Sequence, residues 1–204
     1  MTSEKQLLVA TRNIGKVREF ADLIQDLPIK WLSLDDLSIG LDVEESGETF
    51  QENAILKALA YSKESRMLTI ADDSGLEVDA LDGRPGVRTA RYGGLDLTPV
   101  QRYELLLMEL NEVPWEERSA RFRCVIAIAG PEGLKGIASG ICEGFIGLRP
   151  KGSEGFGYDP VFYLPEYGLT MAQLQPSAKH QISHRGKAMA GILPKLREEF
   201  NQEK

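Results

Sequence analysis

The stretch "LTIADDSG", residues 68–75, constrains the fold more than any other, because it sets two carboxylates side by side where an apolar run ends. Asp72 and Asp73 follow Leu68-Thr-Ile-Ala71 directly, and aspartate is disfavoured inside both strands and helices. Adjacent carboxylates also repel, so crowding the pair together is costly unless a cation neutralises them. The apolar run reads as a buried strand with the pair at its carboxyl end and Ser74-Gly75 turning the chain. Open α/β sheets hold ligands at that end of their strands. A divalent cation would relieve the repulsion, and one carboxylate could then orient or deprotonate a water. An Asx-type turn with solvated carboxylates is the competing, weaker reading.

The surrounding pattern predicts α/β architecture with a mixed sheet. "QLLVA" (6–10) reads as a short buried strand, and Val17, Phe20, Leu23, Ile24 and Leu27 recur at helical spacing after it. "IKWLSL" (29–34) is a second strand. Thr49 and Glu52 form a T-x-x-E capping box for a helix through about Ser65. "LEVDALDG" alternates and ends in an Asp-Gly turn, a hairpin signal. Thr98-Pro99 caps and opens another helix. Residues 120–129 and 134–148 read as long strands joined by "GPEG", and 161–164 as a further strand. A last helix is expected from near Ser183, interrupted or kinked by Pro194. With hairpins and crossovers both present, a mixed sheet is favoured over a parallel one.

Bulk properties narrow the function classes. A length of 204 residues suits one domain with a substantial core. The 24 basic and 31 acidic side chains leave a net charge of −7, which argues against a nucleic-acid partner. No apolar run approaches a membrane span, and the stretch in "MTSEKQLLVAT" is too short for a signal peptide, so a cytoplasmic location is expected. Cys124 and Cys142 read as two buried thiols in a reducing compartment.

Four further stretches carry chemistry. In "ATRNIGK", Thr11, Arg12, Asn13, Ile14, Gly15 and Lys16 span a strand-to-helix junction, where unpaired backbone N–H groups suit phosphate. The Gly-rich Walker pattern is missing, and an ordinary N-cap explains Thr11 and Asn13 equally well. In "EESGETFQENAILKA", Glu44 and Glu45 are hard oxygen donors of the kind Mg²⁺ accepts, or simply solvated charges. Asn53 and Lys57, four apart, share a helix face, and Lys57 interrupts an apolar run. Its ammonium either snorkels to water or points at a phosphate. "GSEGFGYDP" interleaves glycines with Phe156 and Tyr158, flat surfaces for a base or else core aromatics, with Gly157 and Asp159 beside them. "SAKHQISHRGKAM" clusters Lys179, His184, Arg185 and Lys187 near a helix start.

Taken in order, "ATRNIGK", "EESGETFQENAILKA", "ADDSGLEVDALDGRPGVRTARY", "GFGYDP" and "ISHRGKAM" closely resemble the inosine triphosphate pyrophosphatase family, from residue 7 to about 190. The resemblance implies an elongated mixed β-sheet flanked by helices and a single nucleotide pyrophosphatase domain over 1–204, with or without two lobes around a central cleft. It implies a cytosolic, Mg²⁺-dependent homodimer that splits ITP, dITP and XTP into the monophosphate and pyrophosphate. By the same resemblance, Asp73 is general base and metal ligand, with Glu44 also on the metal and Asp72 and Glu45 as the other members of the acidic cluster. Thr11 to Lys16, Lys57, Ser74, Phe156 to Asp159, Lys179, His184 and Arg185 would bind nucleotide, although Arg12 stands where many members carry glycine. Donors from His184-Arg185 or nearby backbone would read the 6-oxo group of the base. Two rivals are a pyrophosphatase for dUTP or a modified pyrimidine, and a nucleotide sensor without hydrolysis.

Overall fold

The apolar runs near residues 7, 70 and 126 become neighbouring strands because both of their faces are apolar, which only a sheet covered on both sides accommodates. A computed structural model describes residues 5–25 and 27–202. In chain order the elements are β1 (Gln6–Val9), α1 (Ile14–Ile24), β2 (Lys30–Ser33), α2 (Phe50–Ser65), β3 (Thr69–Val78), α3 (Pro99–Glu109), β4 (Ser119–Gly130), β5 (Gly133–Ile146), β6 (Phe162–Leu164), β7 (Leu169–Thr170), α4 (Pro176–Ile182) and α5 (His184–Gln202). The strands form one sheet in the order β2-β1-β3-β4-β5-β6-β7. β1 runs parallel to β2 and β3, with Leu8 opposite Thr69, while β5, β6 and β7 pair antiparallel. The sheet is therefore mixed, as its sequence pattern predicts.

The contacts divide the chain into two units. The first holds the described residues up to Asp73, with Cys124–Gly140 and the chain from Arg185 onward. The second holds Ser74–Arg123 and Ile141–His184. In the first unit, strand alternation sorts side chains by size. Leu7, Val9, Ile70, Ile126 and Ile128 face α1 and α5, where Phe20, Ile24, Met189, Ile192 and Leu196 complete a buried cluster. Leu8, Ala10, Ala71, Ala127 and Ala129 face the other way, against Ala54, Ala58 and Tyr61 of α2. Small side chains on both surfaces suit a close approach of helix to sheet. The second unit has its own core, in which Leu76, Val78, Leu106, Leu110, Ile146 and Met171 surround Phe122 and Phe162, whose ring centroids lie 4.4 Å apart.

Both predicted caps form. Thr49 accepts from the Glu52 N–H at the start of α2, and Thr98 from that of Gln101 at the start of α3. Two expectations are corrected, and a third is narrowed. The strand predicted to end at Ala71 runs without a turn at Ser74-Gly75 to Val78, so Asp72 and Asp73 lie mid-strand. Cations and a donor on the two faces compensate the two charges, and the low strand propensity of aspartate is overridden. The Asp-Gly turn does reverse the chain, with Asp82 and Gly83 at positive φ (53° and 79°), but among the described residues a single isolated bridge, Glu77 to Pro85, follows, and proline cannot donate to extend a ladder. Pro194 does not interrupt α5, which continues on both sides of it and forgoes the single backbone bond proline cannot donate. Strand β7 and helix α4, too short for a periodic signal, were not legible.

The capping box of α2 anchors a helix whose side chains matter below. Thr49→Ala is expected to lower stability by about 1 kcal/mol, read as a reduced urea midpoint with an unchanged denaturant slope.

Candidate active site

In a pleated strand neighbouring side chains point to opposite faces, and this resolves the doubled aspartate. Asp72 shares the face of Ile70, toward α1 and α5, and Asp73 shares that of Ala71, toward α2.

Asp72 is almost fully buried, and its Oδ2 lies 2.9 Å from Arg185 Nη2 and 3.0 Å from Lys16 Nζ. Lys16 comes from the first turn of α1 and Arg185 from the first turn of α5. Arg185 is itself 1% exposed and pairs through Nη1 with Glu19 of α1. Burial alone would raise the Asp72 pKa, but the charges of Lys16, Arg185 and Lys57 outweigh it and hold the carboxyl well below the usual range. Its Oδ1 has no hydrogen-bond partner among the described residues. Burial, and then the charge of Asp72, push the Cys124 thiol up, so the sulfur 3.8 Å from Asp72 stays protonated.

Asp73 meets a different environment. Asn53 Nδ2 donates to its Oδ2 at 3.2 Å, and Lys57 Nζ lies 3.4 Å from its Oδ1. Burial raises its pKa, Glu45 and Asp72 add to the rise, and Lys57 and Lys16 only partly offset it. Lys57 also reaches Glu45 at 2.6 Å. Burial would lower the pKa of this ammonium, yet Asp73, Asp72 and Glu45 prevail and raise it. One cation is thus shared by two carboxylates, Glu45 and Asp73. Glu44 is exposed, and its side chain enters no hydrogen bond or ion pair among the described residues.

The strand-to-helix junction has ordinary cap geometry: Asn13 Oδ1 accepts from Lys16 N at 3.2 Å and Thr11 Oγ1 from Asn13 N at 3.2 Å. Arg12 turns aside, donating to the carbonyls of Ile39 and Leu41 at 2.7 and 3.0 Å. Ile14 is 67% exposed, and Gly15 follows it in the first turn of α1. Ser74 continues β3, half-buried.

The second unit gathers its own set. Asp159 accepts from the Phe156 N–H at 2.8 Å and pairs with Lys179 Nζ at 2.6 Å, with both charged groups buried. The same ammonium lies 5.1 Å from the Phe156 ring centroid. A side chain at Gly155 would meet Asp159 Oδ2 at 2.0 Å, so only glycine fits there. Tyr158 is buried and donates to the Thr89 carbonyl at 3.2 Å, which makes it the core aromatic of the two. Gly157 has positive φ, 63°. His184 is buried and stacks on Phe122 at 4.8 Å.

Of the residues singled out in the sequence, the first unit brings together Lys16, Lys57, Asp73 and Arg185, and the second brings together Phe156, Asp159 and Lys179. Arg185 departs most from expectation, with its guanidinium committed to Glu19 and Asp72. Sequence reasoning passed over Glu19 and noted Asn53 only for its place on the helix face of Lys57, without assigning it a role. Asn53 carried a signal, its spacing from Lys57. Glu19 carried none, because a glutamate on an amphipathic helix reads as solvated.

This chain belongs to the Ham1 family: the family profile matches residues 7–195. Among its relatives, the "dITP/XTP pyrophosphatase" of Bacillus cereus (strain ATCC 14579) is 50% identical over 202 residues, covering 98% of each chain. That of Geobacillus kaustophilus is 51% identical over 188 residues, 92% of each chain. A solved HAM1 protein from Coxiella burnetii superposes with a TM-score of 0.85 at 40% identity, covering 95% of this chain and 99% of its own.

The two carboxyls make opposite contributions to acid stability. The depressed pKa of Asp72 gives stability that is complete above roughly pH 4, the unfolded value, and is lost as pH falls through the folded one. The raised pKa of Asp73 works the other way, since its protonation relieves a cost. Asp72→Asn is therefore expected to flatten the fall in stability between about pH 5 and pH 2, measured by urea unfolding at stepped pH. Arg185→Leu, which strands two buried carboxylates, is expected to cost about 3–5 kcal/mol in the same assay at pH 7.

Proposed function

We infer that this chain is a nucleoside triphosphate pyrophosphatase that hydrolyses dITP, ITP and XTP to the monophosphate and pyrophosphate. The names of the relatives support the substrate class. The observation that carries the chemistry is the placement of two adjacent carboxyls on opposite faces of β3, Asp72 against Lys16 and Arg185 and Asp73 against Asn53 and Lys57, with the first held ionised by those cations and the second raised by burial. Environments that push a pair of acids apart assign their roles. Asp72 is the fixed anion that holds Lys16 and Arg185, and Asp73 is the base.

In this reading Asp73 takes the proton of a water attacking in line at the α-phosphorus, while the bond to the departing pyrophosphate breaks. Lys16 and Lys57, together with the backbone N–H groups at the start of α1, stabilise charge on the phosphate oxygens. Little covalent work is asked of the side chains, so position and charge dominate. In the second unit the Phe156 ring is a stacking surface for the purine, with Asp159 and Lys179 beside it, and His184, stacked on Phe122, is a further polar group for the nucleotide. Arg185 contributes by securing Asp72.

Asp73 and Glu45 fit a divalent cation. They already share one positive centre, the Lys57 ammonium, and Mg²⁺ is commonly held by one or two carboxylates, with phosphate oxygens and waters completing its shell. Glu44 is the adjacent donor that the sequence favoured. Bound there, Mg²⁺ would neutralise phosphate charge. The family likeness also supports a cytoplasmic homodimer that acts as one domain over 1–204, with neither nucleic acid nor membrane as partner. Among the described residues no helix is long and apolar enough to cross a membrane.

Asp73→Asn is expected to bind ITP normally and to lose about 10²–10⁴-fold in turnover. Measured pyrophosphate release at the wild-type rate would remove Asp73 from the role. In parallel assays of ITP, XTP, ATP and GTP, ATP hydrolysed as fast as ITP would refute recognition of the 6-oxo group.

A further inference from the structure

Asn53 is 0% exposed, and its carboxamide is fully engaged. Oδ1 accepts from the Gly47 N–H at 2.8 Å, and Nδ2 donates to the Gly47 carbonyl at 3.3 Å and to Asp73 Oδ2 at 3.2 Å. An amide that mates with both backbone groups of one residue closes a planar, two-bonded ring and fixes orientation as well as distance. Next to it, Glu52 Oε2 accepts from Glu48 N at 2.7 Å and from Thr49 N at 3.1 Å. The acidic segment bearing Glu44 and Glu45 is thus fastened to the first turn of α2 immediately beside Asp73.

Gly47 is what permits this closeness. A Cβ there would stand 2.7 Å from Asn53 Oδ1 and 2.7 Å from Glu52 Cβ, inside any real contact distance. Lys57, one turn after Asn53, closes the circuit from the other side by touching both Glu45 and Asp73.

We propose that Asn53 is a positioning residue for hydrolysis: its buried carboxamide latches the Gly47 backbone to the Asp73 carboxylate and thereby sets the separation of Asp73 and Glu45. The proposal rests on Asp73 being the base. A side chain that could only donate or only accept would hold one partner and lose the other, so the carboxamide is required for its two-sided hydrogen bonding. Displacements on the order of 1 Å remote from the reacting atoms can cost about 10²-fold in rate.

The test uses Asn53→Leu, Gly47→Ala and Asp73→Asn in the full chain. Each is assayed for ITP hydrolysis with saturating Mg²⁺, and amide hydrogen exchange at Gly47 is followed in the metal-free protein without substrate. Asn53→Leu, close in shape but unable to hydrogen-bond, is expected to unfold cooperatively and to lose about 10²-fold in kcat with KM nearly unchanged. Its Gly47 amide, protected in the wild type, should exchange rapidly. Gly47→Ala, which does not touch Asp73, should reproduce the loss in kcat and keeps the test open if Asn53→Leu fails to fold. Wild-type kcat in Asn53→Leu alongside an inactive Asp73→Asn would overturn the latch and leave the base intact. A Gly47 amide still protected in Asn53→Leu would overturn it too. An active Asp73→Asn would overturn the assignment of Asp73 as base instead, a result the exchange measurement does not share.

Discussion

The pleat of β3 is the constraint on which the site depends. Were Asp72 and Asp73 on one face, their charges would compete for the same cations. On opposite faces each obtains its own surroundings, arginine and lysine on one side and a carboxamide and lysine on the other. One backbone geometry thus turns an unfavourable dipeptide into two acids of different strength. The helices follow from it: α1 and α5 must cover the face of Asp72 with cations at their first turns, and α2 must bring Asn53 and Lys57 over the face of Asp73.

The packing of the first unit is arranged for this. Branched aliphatic residues fill the Asp72 side, and alanines line the Asp73 side. A bulkier residue at Ala71, Ala127 or Ala129 would push α2 outward and lengthen the contacts of Asn53 and Lys57, which already lie at 3.2 and 3.4 Å from Asp73. Core composition and chemistry are therefore a single problem here.

Much of this was legible in the sequence. Caps at Thr49 and Thr98, the apolar runs and the mixed architecture follow from local patterns that tertiary structure reinforces. The aspartates were correctly marked as the focus, but their placement at a strand end was wrong. Propensity treats aspartate as a strand breaker, and only the partners supplied by distant helices override it. Glu19, whose partner Arg185 lies 166 positions away, could not be read at all, because no periodicity encodes an ion pair between two helices. The role of Glu45 relative to Glu44 depends on which side chain turns toward Lys57, a matter of loop geometry rather than composition.

The Glu19–Arg185–Asp72–Lys16 array also bears on how this lineage can change. A buried run of alternating charges has no cheap intermediate: neutralising one member exposes its neighbours to an apolar interior without compensation. Drift at these four positions should be slow and concerted, with replacements surviving only as matched sets.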